Sequence, residues 1–125
     1  MTDLKATLFD FWSNFDLPAF VQGTVAESAD LPYITYEVVT APSMNALPLT
    51  AIAWFPATMD GVMRRTAFQD AVELMIPESG IMLPVGDDGF IILDRNPSGF
   101  VGDYQDQENT KIIGARVSYL VRFYY

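Results

Sequence analysis

The stretch IIGARVSYLVRFYY, residues 112–125, decides the fold. Ile113, Ala115, Val117, Tyr119, Val121, Phe123 and Tyr125 fall on one face of an extended chain. Arg116, Ser118 and Arg122 share the other face with Ile112, Gly114, Leu120 and Tyr124. Such period-two alternation with one clean apolar side marks a strand half-buried in a sheet. At about 3.4 Å per residue the stretch would span roughly 48 Å. A globule of this chain's size is only about 36 Å across. The strand is therefore expected either to bend at Gly114 or to lie partly against another copy. Its second face, with Leu120, Tyr124, Arg116 and Arg122, reads as an interface rather than a solvated surface.

Working back from it, residues 95–110 (RNPSGFVGDYQDQENT) read as a long polar segment containing Asp103, Asp106 and Glu108. IMLPV (81–85) and FIILD (90–94) flank the polar turn GDDG (86–89), a hairpin pattern. Pro84 cannot donate to a ladder, which places its strand at a sheet edge. A helix is expected over about 61–76, capped by Asp60 and ended by Pro77 and the Ser79–Gly80 pair. Met63, Ala67, Ala71 and Leu74 lie along one side of it, with Phe68, Val72 and Met75 adjacent. Arg64, Arg65, Gln69, Asp70 and Glu73 fall opposite.

LTAIAWFPA (49–57) is apolar on both faces, as in a central strand covered on both sides. TAPSMNALP (40–48) reads as a connection, LPYITYEVV (31–39) as a strand, and residues 17–30 as an irregular linker. Leu4, Leu8, Phe11, Trp12 and Phe15 form one helical stripe over residues 3–16, with Thr2 or Asp3 as cap and Pro18 beyond the end. Residues 1–125 thus make a single α+β domain. Two helices pack on a mostly antiparallel or mixed sheet of about five strands, with a long closing strand.

The 125-residue chain is half hydrophobic and 14% aromatic, enough for a real core. Sixteen acidic against seven basic residues give a net charge of −9. That excludes a general nucleic-acid binder, which works by neutralising phosphates with clustered Lys and Arg. There is no Cys and no His. The thiol nucleophile, the commonest general base and the main nitrogen ligand for zinc are therefore all missing. MTDLKATLFDFW lacks the basic and apolar regions of a signal peptide, and no apolar run is long enough to span a membrane. A soluble protein made in the cytoplasm is expected.

Three groups invite a chemical reading. Asp87 and Asp88 in GDDG could hold a hard cation, but the spacing is not that of a calcium loop, and neighbouring hairpin side chains point apart. Asp103, Asp106 and Glu108 could supply an acid/base pair, but nothing nearby desolvates them, and a solvated loop is the plainer reading. Arg64 and Arg65 could cradle an anion, though exposed helical arginines more often make ion pairs or interface contacts. The scattered glycines form neither a dinucleotide fingerprint nor a P-loop. No catalytic site, metal or cofactor is expected.

The order of elements resembles that of the tail-terminator and related tail-completion proteins of long-tailed bacteriophages and prophages. The LPYITYEVV strand soon after the first helix carries the likeness, with the second strand leading into a helix bearing Arg64–Arg65 and the acidic stretch before IIGARVSYLVRFYY. The resemblance covers nearly the whole chain and is one of layout, since these families have no short diagnostic motif. It implies a non-enzymatic homo-oligomeric ring, usually a hexamer, assembled in the bacterial host cytoplasm and carried in the virion. Such a ring caps the head-proximal end of the tail tube, stops its polymerisation and docks the neck, and DNA passes through its bore.

In that setting Arg64, Arg65, Arg116, Leu120, Arg122 and Tyr124 are the expected interface, and Asp87, Asp88, Asp103, Asp106 and Glu108 the acidic lumen or loops. A head-closure, neck or tail-tube protein of the same virion is the nearest alternative. A small cytoplasmic ligand-binding domain, with a pocket lined by Trp12, Tyr36 and Trp54, is an alternative of another class. A carboxylate hydrolase is a third.

Overall fold

The computed structural model describes residues 2–25, 30–38, 46–87, 89–106 and 108–124, with the side chains of Thr2 and Asp3 left out. The expected cap at those two residues therefore lies outside the described residues, as do Asp88, Tyr125 and most of the 40–48 connection. The elements run α1 (Thr2–Trp12), a 3-10 turn (Ser13–Phe15), β1 (Ala19–Val21), β2 (Tyr33–Tyr36), β3 (Leu47–Pro56), α2 (Met59–Met75), β4 (Ile81–Val85), β5 (Gly89–Arg95), β6 (Val101–Gln105) and β7 (Ile112–Tyr124). Both helices pack against a seven-stranded mixed sheet, an α+β fold.

The closing strand β7 is the spine of that sheet. One edge pairs antiparallel with β3 from Leu47↔Val121 to Pro56↔Ile112. The other edge pairs first with β6, Gln105↔Ile113 to Val101↔Val117, and then with β5, Arg95↔Tyr119 to Phe90↔Tyr124. Its backbone is thus paired within the chain along its length, and the length argument requires no second copy to complete the ladder. Ala115, Val117, Tyr119 and Val121 are fully buried, as the alternation predicts.

Two strands go beyond the sequence reading. Ala19–Val21, inside the supposed linker, pairs parallel with β2 and forms one edge of the sheet. Val101–Gln105, inside the supposed polar loop, is a strand against β7. The other edge is β4, which contains Pro84 as expected, and the Thr7 hydroxyl of α1 donates to the Pro84 carbonyl at 2.9 Å.

The core lies between helices and sheet. Leu4, Leu8, Phe11 and Trp12 of α1 are buried there, with the Trp12 and Tyr119 rings 5.7 Å apart. Burial raises the Tyr119 hydroxyl well above the ordinary tyrosine range, and the Trp12 indole acts in the opposite sense. Among the described residues neither polar atom reaches a hydrogen-bond partner of good geometry.

In α2 the buried residues are Gly61, Phe68 and Val72, and Phe68 meets both Phe15 and Phe55. The expected apolar side is thus split: Phe68 and Val72 face the core, while Met63, 66% exposed, and Leu74, 84% exposed, are turned outward. The cap is Thr58, whose hydroxyl accepts from the Gly61 N–H at 3.0 Å, while Asp60 sits in the first turn. At the other end, Arg95 donates to the carbonyls of Ile76 at 2.8 Å and Glu73 at 2.9 Å, a cation placed at the negative end of the helix.

Candidate functional site

Strand alternation sends half of β3 and β7 away from the helices. On β3 the inward set is Leu47, Leu49, Ala51, Ala53 and Phe55, all buried. The outward set includes Ile52 and Trp54, half-buried; among the described residues the helices take one face only, so no described helix supplies the expected cover on the second face. Register places Trp54 opposite Gly114, Ile52 opposite Arg116 and Pro48 opposite Leu120. From the other edge of β7, Tyr104 comes opposite Gly114, Gly102 opposite Arg116, and Asp94, Ile92 and Phe90 opposite Leu120, Arg122 and Tyr124.

Gly114 is not a free hinge in this setting. It lets Trp54 and Tyr104 approach over its backbone, their rings edge to face at 5.5 Å. A Cβ at Gly114 would press to 3.1 Å from the Ile52 methyl. The Trp54 indole N–H donates to the Thr35 hydroxyl at 3.0 Å, which fixes the ring. At the far end of the face Tyr124 stacks on Phe90 at 4.9 Å, and Arg122 pairs with Asp94 at 2.9 Å. Leu120 is half-buried, Tyr124 and Arg116 are exposed, and Met82, on β4 across β5 from Arg122, is 62% exposed. Four of the six expected interface residues, Arg116, Leu120, Arg122 and Tyr124, therefore share one uncovered sheet face.

The other two do not join them. Arg65 points toward the sheet edge, where it lies 3.5 Å from the Asp103 carboxylate with only 17% of its side chain exposed. Arg64 is exposed on α2 and borders a groove of about 440 Å³ between that helix and the 3-10 turn, lined by Phe15, Leu17, Phe55, Phe68 and Leu74.

The acidic group also separates. Asp103 belongs to β6, on its helix side, where it accepts from Gln69 at 2.8 Å as well as meeting Arg65. It is a strand residue rather than part of a loop, and it stays solvated as expected, with 67% of its side chain exposed. Asp106 receives the Glu108 N–H at 2.9 Å in a local turn, and Glu108 and Asp87 are exposed. Asp88 lies outside the described residues. Among the described residues no three acidic side chains gather as a metal site would require.

A pocket lined jointly by Trp12, Tyr36 and Trp54 does not form. Trp12 and Tyr36 are core residues at 0% and 1% exposure, and Trp54 lies on the opposite face of the sheet. Burial, with the charge of Asp10 second, raises the Tyr36 hydroxyl above its ordinary range.

The outward side of α2 is a second uncovered surface. Met59 is 83% and Val62 43% exposed, beside Met63 and Leu74, with Asp60, Asp70 and Glu73 interleaved. The periodicity of α2 holds two adjacent apolar stripes, and the signal that picks the buried one is aromatic: Phe68 has rings to meet and Met63 has none. Among the described residues no helix is long and apolar enough to cross a membrane. No family model matches the chain, and no curated protein or solved structure matches it.

Proposed function

We propose that this chain is a structural subunit of the tail of a long-tailed phage or prophage, forming a ring, six copies in closed form, at the head-proximal end of the tail tube. There it stops tube polymerisation and offers the surface on which the neck docks. The observation that carries the reading is the open sheet face: Trp54, Tyr104, Leu120 and Tyr124 stand on a side of the sheet that, among the described residues, no helix covers. Large apolar and aromatic side chains gathered on an open face, with charges among them, suit a protein contact. The layout of the chain supports the same reading, and the net charge of −9 suits a bore through which DNA must slide without sticking.

The test is to add the purified protein to polymerising tail-tube subunits and to measure tube lengths and ends by negative-stain imaging. Tubes arrested early, each with one extra ring at one end, are expected. Long tubes made by the protein alone would assign it to the tube instead. Binding at the neck without arrest would assign it to head closure. A protein that stays monomeric and ignores tubes would overturn the reading.

A further inference from the structure

We propose that the outward side of α2 in one copy docks on the uncovered sheet face of the next, with Arg116 as the electrostatic anchor. The inference rests on the ring reading above and names the two surfaces that close the ring. A helix in solvent normally turns polar residues outward. α2 instead exposes Met59, Met63 and Leu74, with Asp60, Asp70 and Glu73 around them. The only basic residue of that helix besides the engaged Arg65 is Arg64, which borders the groove that Leu74 also lines, so the ridge carries more carboxylates than cations.

The sheet face has the opposite sign. Its Arg122 and Asp94 neutralise each other at 2.9 Å. Arg116 is exposed between Ile52 and Gly102 in register, with no ion pair among the described residues. Gly102 offers no side chain to cover it. An apolar helix ridge edged with carboxylates therefore fits an apolar sheet face with an unengaged guanidinium.

Charge also selects the symmetry. Helix against helix would set Asp60, Asp70 and Glu73 against their own copies, and sheet against sheet would oppose two Arg116 groups. Like charges across an interface are selected against. The unlike pairing is head-to-tail, and such contacts close into rings or run on as filaments.

The test is a charge swap read by native mass and sedimentation, with circular dichroism confirming that each variant is folded. Arg116→Glu alone, and Asp70→Lys with Glu73→Lys, should each weaken self-association about tenfold or more. Combining the three should restore it, since the signs are again complementary. Self-association unchanged in Arg116→Glu would overturn this contact and leave the ring reading standing. Self-association through this contact, in a protein that fails to arrest tubes, would uphold the contact and sink the tail reading. A parent that remains monomeric, alone and on tubes, overturns both.

Discussion

Gly61 sits where β3 runs into α2, and a side chain there would collide with the Pro56 carbonyl oxygen, a backbone atom that cannot step aside. Its own N–H is held by the Thr58 cap. Gly61→Ala is expected to cost about 2–4 kcal/mol, because the strand–helix junction must shift to admit one carbon. Thr58→Ala removes only the cap and should cost about 1 kcal/mol. Chemical denaturation of both variants checks the order; equal midpoints would contradict the close approach. None of this is legible in the sequence, where Gly61 follows the acid expected to cap the helix. Asp60 is a good capping residue by type, but the cap falls two residues earlier, at Thr58, and the helix begins at Met59, because β3 delivers the chain there. Arg95 is a similar case. It reads as the first residue of a polar loop, yet it closes α2 from a distant strand and lies over the Phe100 ring at 4.6 Å.

At the level of elements, β7 was the most readable part of the chain, since strict alternation of Ala115, Val117, Tyr119 and Val121 leaves one consistent orientation. The strand β6 was the least readable. Gly102 and Asp103 are poor strand formers, and the segment is extended because β7 offers a free ladder and Arg65 and Gln69 hold Asp103. The parallel edge β1, three residues long, carries no periodicity of its own and exists by pairing with β2. For α2 the existence of the helix was legible and its rotation was not. Deleting residues 119–125 tests the central strand. It removes the whole β5 pairing and the buried side chains of Tyr119 and Val121, each contributing about 1.5–3 kcal/mol. Against a typical total of about 5–15 kcal/mol, the truncated chain should not fold in soluble form. Arg122→Ala, which loses an ion pair with half its side chain in solvent, should cost no more than about 1 kcal/mol. Thermal melts followed by circular dichroism separate the two, and a truncated chain that melts like the parent would refute the spine role of β7.

For the whole molecule, the scarcity of basic residues sets its dealings with nucleic acid. Of the seven Lys and Arg, Arg65 and Arg122 are in ion pairs and Arg95 is bound to carbonyls. Few cations remain for phosphate, so no measurable affinity for duplex DNA is expected at physiological salt, and fluorescence anisotropy with a labelled duplex checks it. Micromolar binding there would remove the argument that the acid surplus keeps a bore slippery. The position of β7 has a last consequence, for how the molecule comes into being. The strand that joins β3 to both β5 and β6 is the last of the seven to be synthesised. Until residues 112–124 have left the ribosome, β3 has an open edge and the hairpin of β4 and β5 has no sheet to join. Open edges of that kind invite wrong pairing. The two halves of the sheet, β1–β2–β3 and the β4–β5 hairpin, can join only once β7 is available to pair with both.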